Sequence, residues 1–217
     1  MSKVRVRYQT VEFGTTDIHV RTLRDRCQYS DDEGVALKKG ISSAMWPIFG
    51  VIWASGEILA HLMHDYDCKG LRILEVGCGI GLASIVLNHR SMDISATDYH
   101  PETENFLRKN VELNEDKEIP FFCEGWGDVE SELGEFDLII GSDLLYERHH
   151  INLLSGFIDE HAKKSCDVIL VDPGRGNHAS FSKRMVSLGY LHSQENPENV
   201  EYLAEPFGGV ILRYHRE

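Results

Sequence analysis

The sequence predicts an α/β fold in which a doubly wound, mainly parallel sheet carries helices on both faces. Two observations lead there. From about residue 53 onward, short apolar runs alternate with amphipathic segments, and parallel neighbours need such crossover connections. A glycine loop, Gly77-Cys78-Gly79-Ile80-Gly81, also stands directly between an apolar run and an amphipathic one. A third observation sets the ending: the last two apolar runs have no helix-length segment between them, so they form an antiparallel hairpin.

Each element has its own signal. Residues 3–30, "VRVRYQTVEF" and "IHVRTL" around the turn "FGTTD", alternate apolar and polar side chains as a β hairpin does. They predict a small β-rich extension. Ser30 to Gly40, polar and glycine-flanked, is expected to be a mobile loop. Trp53 to Tyr66 places Ile58, Leu59, Leu62 and Met63 on one helical stripe. Then follow the strand "LRILEV", helix "LASIVLNHR", strand "DISATD", helix "PETENFLRKNVELNE" and strand "IPFFCEG". The chain continues with strand "FDLIIGSD", helix "HINLLSGFIDEHAKKS", strand "DVILVDPG" and helix "ASFSKRMVSLG", and closes with strands "YLHSQEN" and "FGGVILRYHRE". We divide the chain into a 1–45 extension and a 46–217 main domain.

Length and charge narrow the function. A chain of 217 residues suits one domain with an extension and buries a substantial core. Its formal charge of -13, from 35 acidic and 22 basic residues without a basic stripe, argues against nucleic acid as a partner. Five scattered cysteines, Cys27, Cys68, Cys78, Cys123 and Cys166, lack metal or redox spacing and are expected to be buried free thiols in a reducing compartment. The histidines show no metal spacing either, so surface and capping roles are expected and no metal site. Neither a signal-type apolar region nor a membrane-length run occurs, which predicts a cytoplasmic protein away from the membrane. No long unpaired apolar face points to a partner subunit, so a monomer is expected.

The glycine loop alone is weak evidence, since dinucleotide enzymes use a near relative of it. Its spacing is G-x-G-x-G rather than G-x-G-x-x-G, and Glu75 stands just before the first glycine, where it would repel a pyrophosphate. A cationic ligand such as S-adenosylmethionine tolerates that acid. Asp98 ends the next strand, 17 residues past Gly81, where an acid binds ribose hydroxyls. Trp126 in "EGWGD" is placed to lie against an adenine face, with core packing as the plain alternative. Cys78 has no histidine beside it in sequence and reads as small filler rather than a nucleophile.

From roughly Trp46 onward these features resemble the class I, seven-β-strand S-adenosylmethionine-dependent methyltransferases, whose main signature is E-x-G-x-G-x-G followed by an acid closing the next strand. The resemblance implies a Rossmann-like sheet of seven strands. After the fourth strand of that sheet the chain reads Ser142-Asp143-Leu144-Leu145-Tyr146, and this D-x-x-Y pattern is similar to that of the protein-lysine methyltransferases. "WASGEILA" and "EGWGD" resemble that group's tryptophan-bearing helix start and its W-G after the third strand, and "DPGR" with "TDYHPE" looks like the branch that acts on the electron-transfer flavoprotein β-subunit. What the resemblance implies is binding of S-adenosyl-L-methionine, with S-adenosyl-L-homocysteine as product, by Trp53, Glu75, Gly77, Gly79, Gly81, Asp98, Trp126 and Ser142. It further implies catalytic roles for Asp143, which draws in and orients the amine, and Tyr146, which shapes the channel wall. Trp46-Pro47 competes with Trp53 for the tryptophan that borders the cofactor. Asp143 as a helix N-cap and Tyr146 as a core residue are the alternatives. Arg175 either holds an acidic group of the substrate or, with Asp172, pins a loop. The expected activity is N-methylation of a lysine on a protein; a small-molecule methyltransferase and a non-catalytic cofactor-binding partner protein are the competing readings.

Overall fold

A computed structural model describes residues 4–25, 31, 34–43, 46–128 and 131–217. The chain opens with a two-stranded antiparallel sheet, β1 (Val6–Phe13) and β2 (Thr16–Leu23). After it come one helical turn, α1 (Val35–Lys38), a 3-10 turn (Ile48–Gly50) and helix α2 (Ala54–Asp65). The alternating region supplies β3 (Arg72–Val76), α3 (Leu82–His89), β4 (Asp93–Thr97), α4 (Thr103–Leu113) and β5 (Phe121–Phe122). It continues through β6 (Phe136–Ser142), α5 (His150–His161), β7 (Ala162–Asp172), α6 (His178–Ser187), β8 (Leu191–Glu195) and β9 (Val210–Arg216).

The main sheet has seven strands in the order β5-β4-β3-β6-β7-β9-β8. β9 runs antiparallel to both β7 and β8, so the closing hairpin inserts its second strand next to β7 and leaves β8 at the edge. Exposed polar residues suit that edge, and β8, "LHSQE", is mostly exposed. The central strands β3, β6 and β7 are near-continuous apolar runs because helices cover both their faces. One face packs against α2, α3, α4 and the N-terminal hairpin, the other against α5 and α6.

The hairpin is sewn into the first of these layers. Val11, Phe13, Ile18 and Val20 are buried in the same cluster as the α2 and α3 core residues. Asn110 of α4 accepts the Arg21 N–H at 2.7 Å and donates to the Ile80 carbonyl at 3.2 Å, and Asn114 accepts the His19 N–H at 2.8 Å. Arg21 also lies over the Phe106 ring.

Four expectations change. The segment expected to be a loop contains α1, because the Asp31 carboxylate accepts the N–H groups of Val35 and Leu37, each at 2.8 Å, and so satisfies the exposed donors of a helix start; Ser30, Asp32 and Glu33 lie outside the described residues. The helix expected through Ser165 stops at His161, where Ala162 turns extended and pairs with Phe136 of β6. Strand pairing there overrides the helical propensity of "AKKS". β5 is cut to two residues at the far edge of the sheet. Of the cysteines, Cys68, Cys78 and Cys166 are buried free thiols, whereas Cys123 follows this short edge strand and is exposed; Cys27 lies outside the described residues. Among the described residues no helix is long and apolar enough to cross a membrane.

Candidate active site

The strand order reverses between β3 and β6, and a doubly wound sheet opens its crevice there, beyond the carboxyl ends of its strands. Glu75, Asp98, Ser142 and Asp143 all sit at those ends. They line one cavity of about 780 Å³ together with Trp53, Gly77, Gly79, Trp126, Tyr146 and Arg175.

The floor is the glycine loop. Gly77, Gly79 and Gly81 all have positive φ (62°, 56° and 74°), a region costly for other residues. A Cβ on Gly79 would stand 2.9 Å from the Phe49 carbonyl oxygen, so the loop closes against the 3-10 turn only because that side chain is missing. Gly81 precedes α3 in left-handed conformation and fixes the angle at which the helix starts. It does not itself line the cavity among the described residues.

Glu75 is buried, and its Oε2 accepts the Ser84 N–H at 2.8 Å and the Ser84 hydroxyl. Burial pushes its carboxyl up to about 7. Asp98 Oδ2 accepts the Gly79 N–H at 2.9 Å and Oδ1 the His100 N–H at 2.7 Å, which ties the acid to the loop it was expected to work with. Burial raises its carboxyl, opposed by these backbone hydrogen bonds. Cys78 is buried and its thiol is held well above the ordinary range by desolvation, then by Asp98 and Glu75; that is the environment of a filler, not of a nucleophile.

Of the two tryptophans before α2, Trp53 lines the cavity and donates its Nε1–H to the Ile48 carbonyl at 3.0 Å. Trp46 donates its Nε1–H to the Ile41 carbonyl at 3.0 Å and is not itself part of the cavity lining. Trp126 is half-buried at the wall, edge-on to the His150 ring at 5.0 Å.

Asp143 does not cap a helix; the residue before α5 is His149. Its backbone is left-handed, φ 53°, pinned by its N–H to the Val171 carbonyl at 2.9 Å. An aspartate tolerates that conformation, and strained backbone of this kind collects at functional sites. Its carboxylate receives Arg175 through two bonds, Nε to Oδ1 at 2.6 Å and Nη2 to Oδ2 at 2.8 Å. Arg175 and Asp172 thus both hold their loop, Arg175 by tying it to Asp143 and Asp172 by accepting the Gly174 N–H at Oδ1 at 2.8 Å. Tyr146 is 36% exposed at the cavity mouth rather than in the core, and desolvation there, followed by the acids Asp98, Glu147 and Asp143, pushes its hydroxyl up to about 12.

The sequence reading missed three contributions. The 3-10 turn with Ile48, Phe49, Val51 and Ile52 forms a wall, and the run "PIFGVI" after Trp46 was its signal. Gly40, Ile41 and Ser42 reach the cavity from the segment before it. Glu147, His149 and His150, within four consecutive positions, bring ligand-type atoms within 4.8 Å of one another at the mouth. There His149 pairs with Glu147 at 3.0 Å, and the His150 Nδ1 lies 3.2 Å from the Leu144 carbonyl.

A family model described as lysine methyltransferase matches residues 36–186. Among curated proteins the chain is similar to the electron transfer flavoprotein beta subunit lysine methyltransferase of Xenopus laevis, 27% identical over 170 residues, which are 76% of this chain and 66% of that protein. The calmodulin-lysine N-methyltransferase of Arabidopsis thaliana is 25% identical over 194 residues, 82% of this chain and 62% of that one. A protein N-lysine methyltransferase of Danio rerio is 32% identical over 108 residues, covering 46% and 49%. The chain thus matches 49% to 66% of the length of these relatives. Among solved structures, a 16S rRNA methyltransferase (RsmC) of T. thermophilus superposes with a TM-score of 0.68 over 98% of this chain and 51% of its own at 10% identity. The magnesium protoporphyrin IX methyltransferase of Synechocystis, with bound SAM, has a TM-score of 0.57 at 19% identity over 74% of this chain and 76% of its own. At these identities the two structures speak for the fold.

Proposed function

Since this chain belongs to the lysine methyltransferase family, we propose that it moves the methyl group of S-adenosyl-L-methionine to the side-chain amine of a lysine on a protein substrate. The observation that carries this reading is the opening of Glu75 and Asp98 on one side, and Asp143 and Tyr146 on the other, onto a single cavity. The names of the relatives, which act on lysines of proteins, support the choice of acceptor.

The cavity walls fit a nucleoside carrying a positively charged tail. The left-handed backbone of Gly77 and Gly79 puts the loop main chain in the cavity lining, Asp98 offers acceptors for ribose hydroxyls, and Trp53 and Trp126 offer aromatic surface. When bound, S-adenosylmethionine supplies an electrophilic methyl carbon; the amine lone pair forms the N–C bond as the C–S pair returns to sulfur, leaving S-adenosylhomocysteine, and the proton departs to solvent. The amine must be neutral to attack, against a reference pKa near ~10.4. Asp143 orients it through a carboxylate oxygen, and Tyr146 lines the channel that brings it in line with the sulfur. Positioning and a partly dry channel supply most of the rate. The 1–45 extension would act on the substrate side through the Gly40–Ser42 approach, with 46–217 as the transferase domain. The acidic surface, scattered cysteines and lack of a basic stripe favour a cytoplasmic monomer that works on protein, away from nucleic acid and membrane.

Incubating the purified protein with methyl-labelled cofactor and a cell lysate tests this. Label in a protein band, on lysine after hydrolysis, is the expected result. Label in the small-molecule fraction would instead favour a small-molecule methyltransferase, and tight cofactor binding without any label a non-catalytic binding partner. Asp143→Asn is expected to slow labelling by about 10²-fold or more at unchanged cofactor affinity, the range over which proton-handling and positioning groups act. Unchanged turnover would remove Asp143 from the mechanism.

A further inference from the structure

We infer that Arg175 is a positioning residue for catalysis: by neutralising Asp143 it keeps the carboxylate from holding the acceptor amine in its unreactive ammonium form. The inference rests on the acceptor-site reading of Asp143 given above.

Among the described residues lining the cavity, Arg175 is the one lysine or arginine, set against Glu75, Asp98, Asp128, Asp143 and Glu147. Such a surplus of acid attracts a lysine but also stabilises its ammonium, because an opposite charge within a few ångströms shifts a titration by about one to three units. Attraction and reaction therefore demand opposite things of the site. The guanidinium resolves the conflict at the acid nearest the chemistry. It holds both oxygens of Asp143 in a fork, at 2.6 and 2.8 Å, and stays charged at every working pH. Each oxygen keeps a further lone pair, so Asp143 still accepts a hydrogen bond from a neutral amine without presenting a net charge.

The loop is shaped for this contact. Gly174 and Gly176, on either side of Arg175, take φ of 94° and 86°, and Asp172 fixes the turn through the Gly174 N–H. Asp143 is aimed by its left-handed backbone, and its side chain is 11% exposed while that of Arg175 is 42% exposed. The other titratable groups facing the pair are Asp98, Asp172, Tyr146, Glu147, His149 and His150. None of them supplies a permanent positive charge.

The test uses the lysate protein labelled above as acceptor, purified and saturating, with saturating cofactor, and follows kcat from about pH 6.5 to 10. Under saturation kcat reports ionisations within the bound complex. Arg175→Met is expected to move the acidic limb to higher pH by about one unit or more, a loss of roughly tenfold near neutrality that is recovered at the alkaline end. KM for the acceptor should stay level or fall. Arg175→Lys, which keeps the charge, should return most of the wild-type profile, and the shift should vanish when Arg175→Met is placed on Asp143→Asn. A uniform loss at every pH, or no change, overturns the inference. Arg175→Gln gives the same reading if the methionine variant melts early. Should Asp143→Asn itself turn over normally, the acceptor-site reading fails and this inference with it; a slow Asp143→Asn beside an unshifted Arg175→Met defeats the inference alone.

Discussion

Asp98 and Glu75 are both acids beside the glycine loop, yet their surroundings give them different tasks. Asp98 is tied to the backbone of the loop it faces, so Asp98→Ala is expected to weaken S-adenosylhomocysteine binding by on the order of 1–3 kcal/mol, read by calorimetric titration. No loss would contradict a ribose contact. Glu75 is turned toward Ser84 of α3 and its carboxyl is raised to about 7 from an ordinary value of 4.5. The folded protein thus holds that proton more tightly than the unfolded chain does, and stability falls as pH rises through this interval, with the penalty complete above about 7. Glu75→Gln removes the titration. In cofactor-free protein its stability relative to wild type should rise by on the order of 1–3 kcal/mol between about pH 5 and pH 8, read by thermal unfolding. A flat difference would mean that the buried acid does not titrate there.

At the scale of elements, the contact that joins three of them runs through Asn110. It is fully buried and bonded both to β2 and to the glycine loop, so truncation leaves an N–H and a carbonyl without partners in the interior. Asn110→Ala is expected to cost about 2 kcal/mol of stability in denaturant unfolding and to loosen cofactor binding by displacing Ile80. Hydrophobic period identified the central strands and the main helices, because β3, β6 and β7 are buried on both faces and α2 has one apolar stripe. It placed element ends less well. The end of α5 was set by the pairing of Ala162 with Phe136, and α1 by a carboxylate from outside the helix, and neither leaves a period in the sequence.

For the whole molecule, the hairpin and the main sheet share one buried cluster, so the division at residue 45 is one of sequence rather than of packing. The full chain is expected to unfold in a single calorimetric transition, and deletion of the hairpin to lower the melting temperature of what remains. Two separate transitions would show an independently stable extension.

The sequence by itself determined the class of sheet, its closing hairpin and the acids that stand around the glycine loop, because burial on two faces and tight backbone turns constrain residue type locally. The tertiary structure alone decided what those groups face. Trp53 rather than Trp46 reaches the cavity, Glu75 turns toward α3, and Asp143 meets a guanidinium 32 residues further along the chain. Such pairings depend on where two loops end after the sheet has formed, and side-chain charges far apart in sequence carry no periodic trace of the distance that will separate them in space.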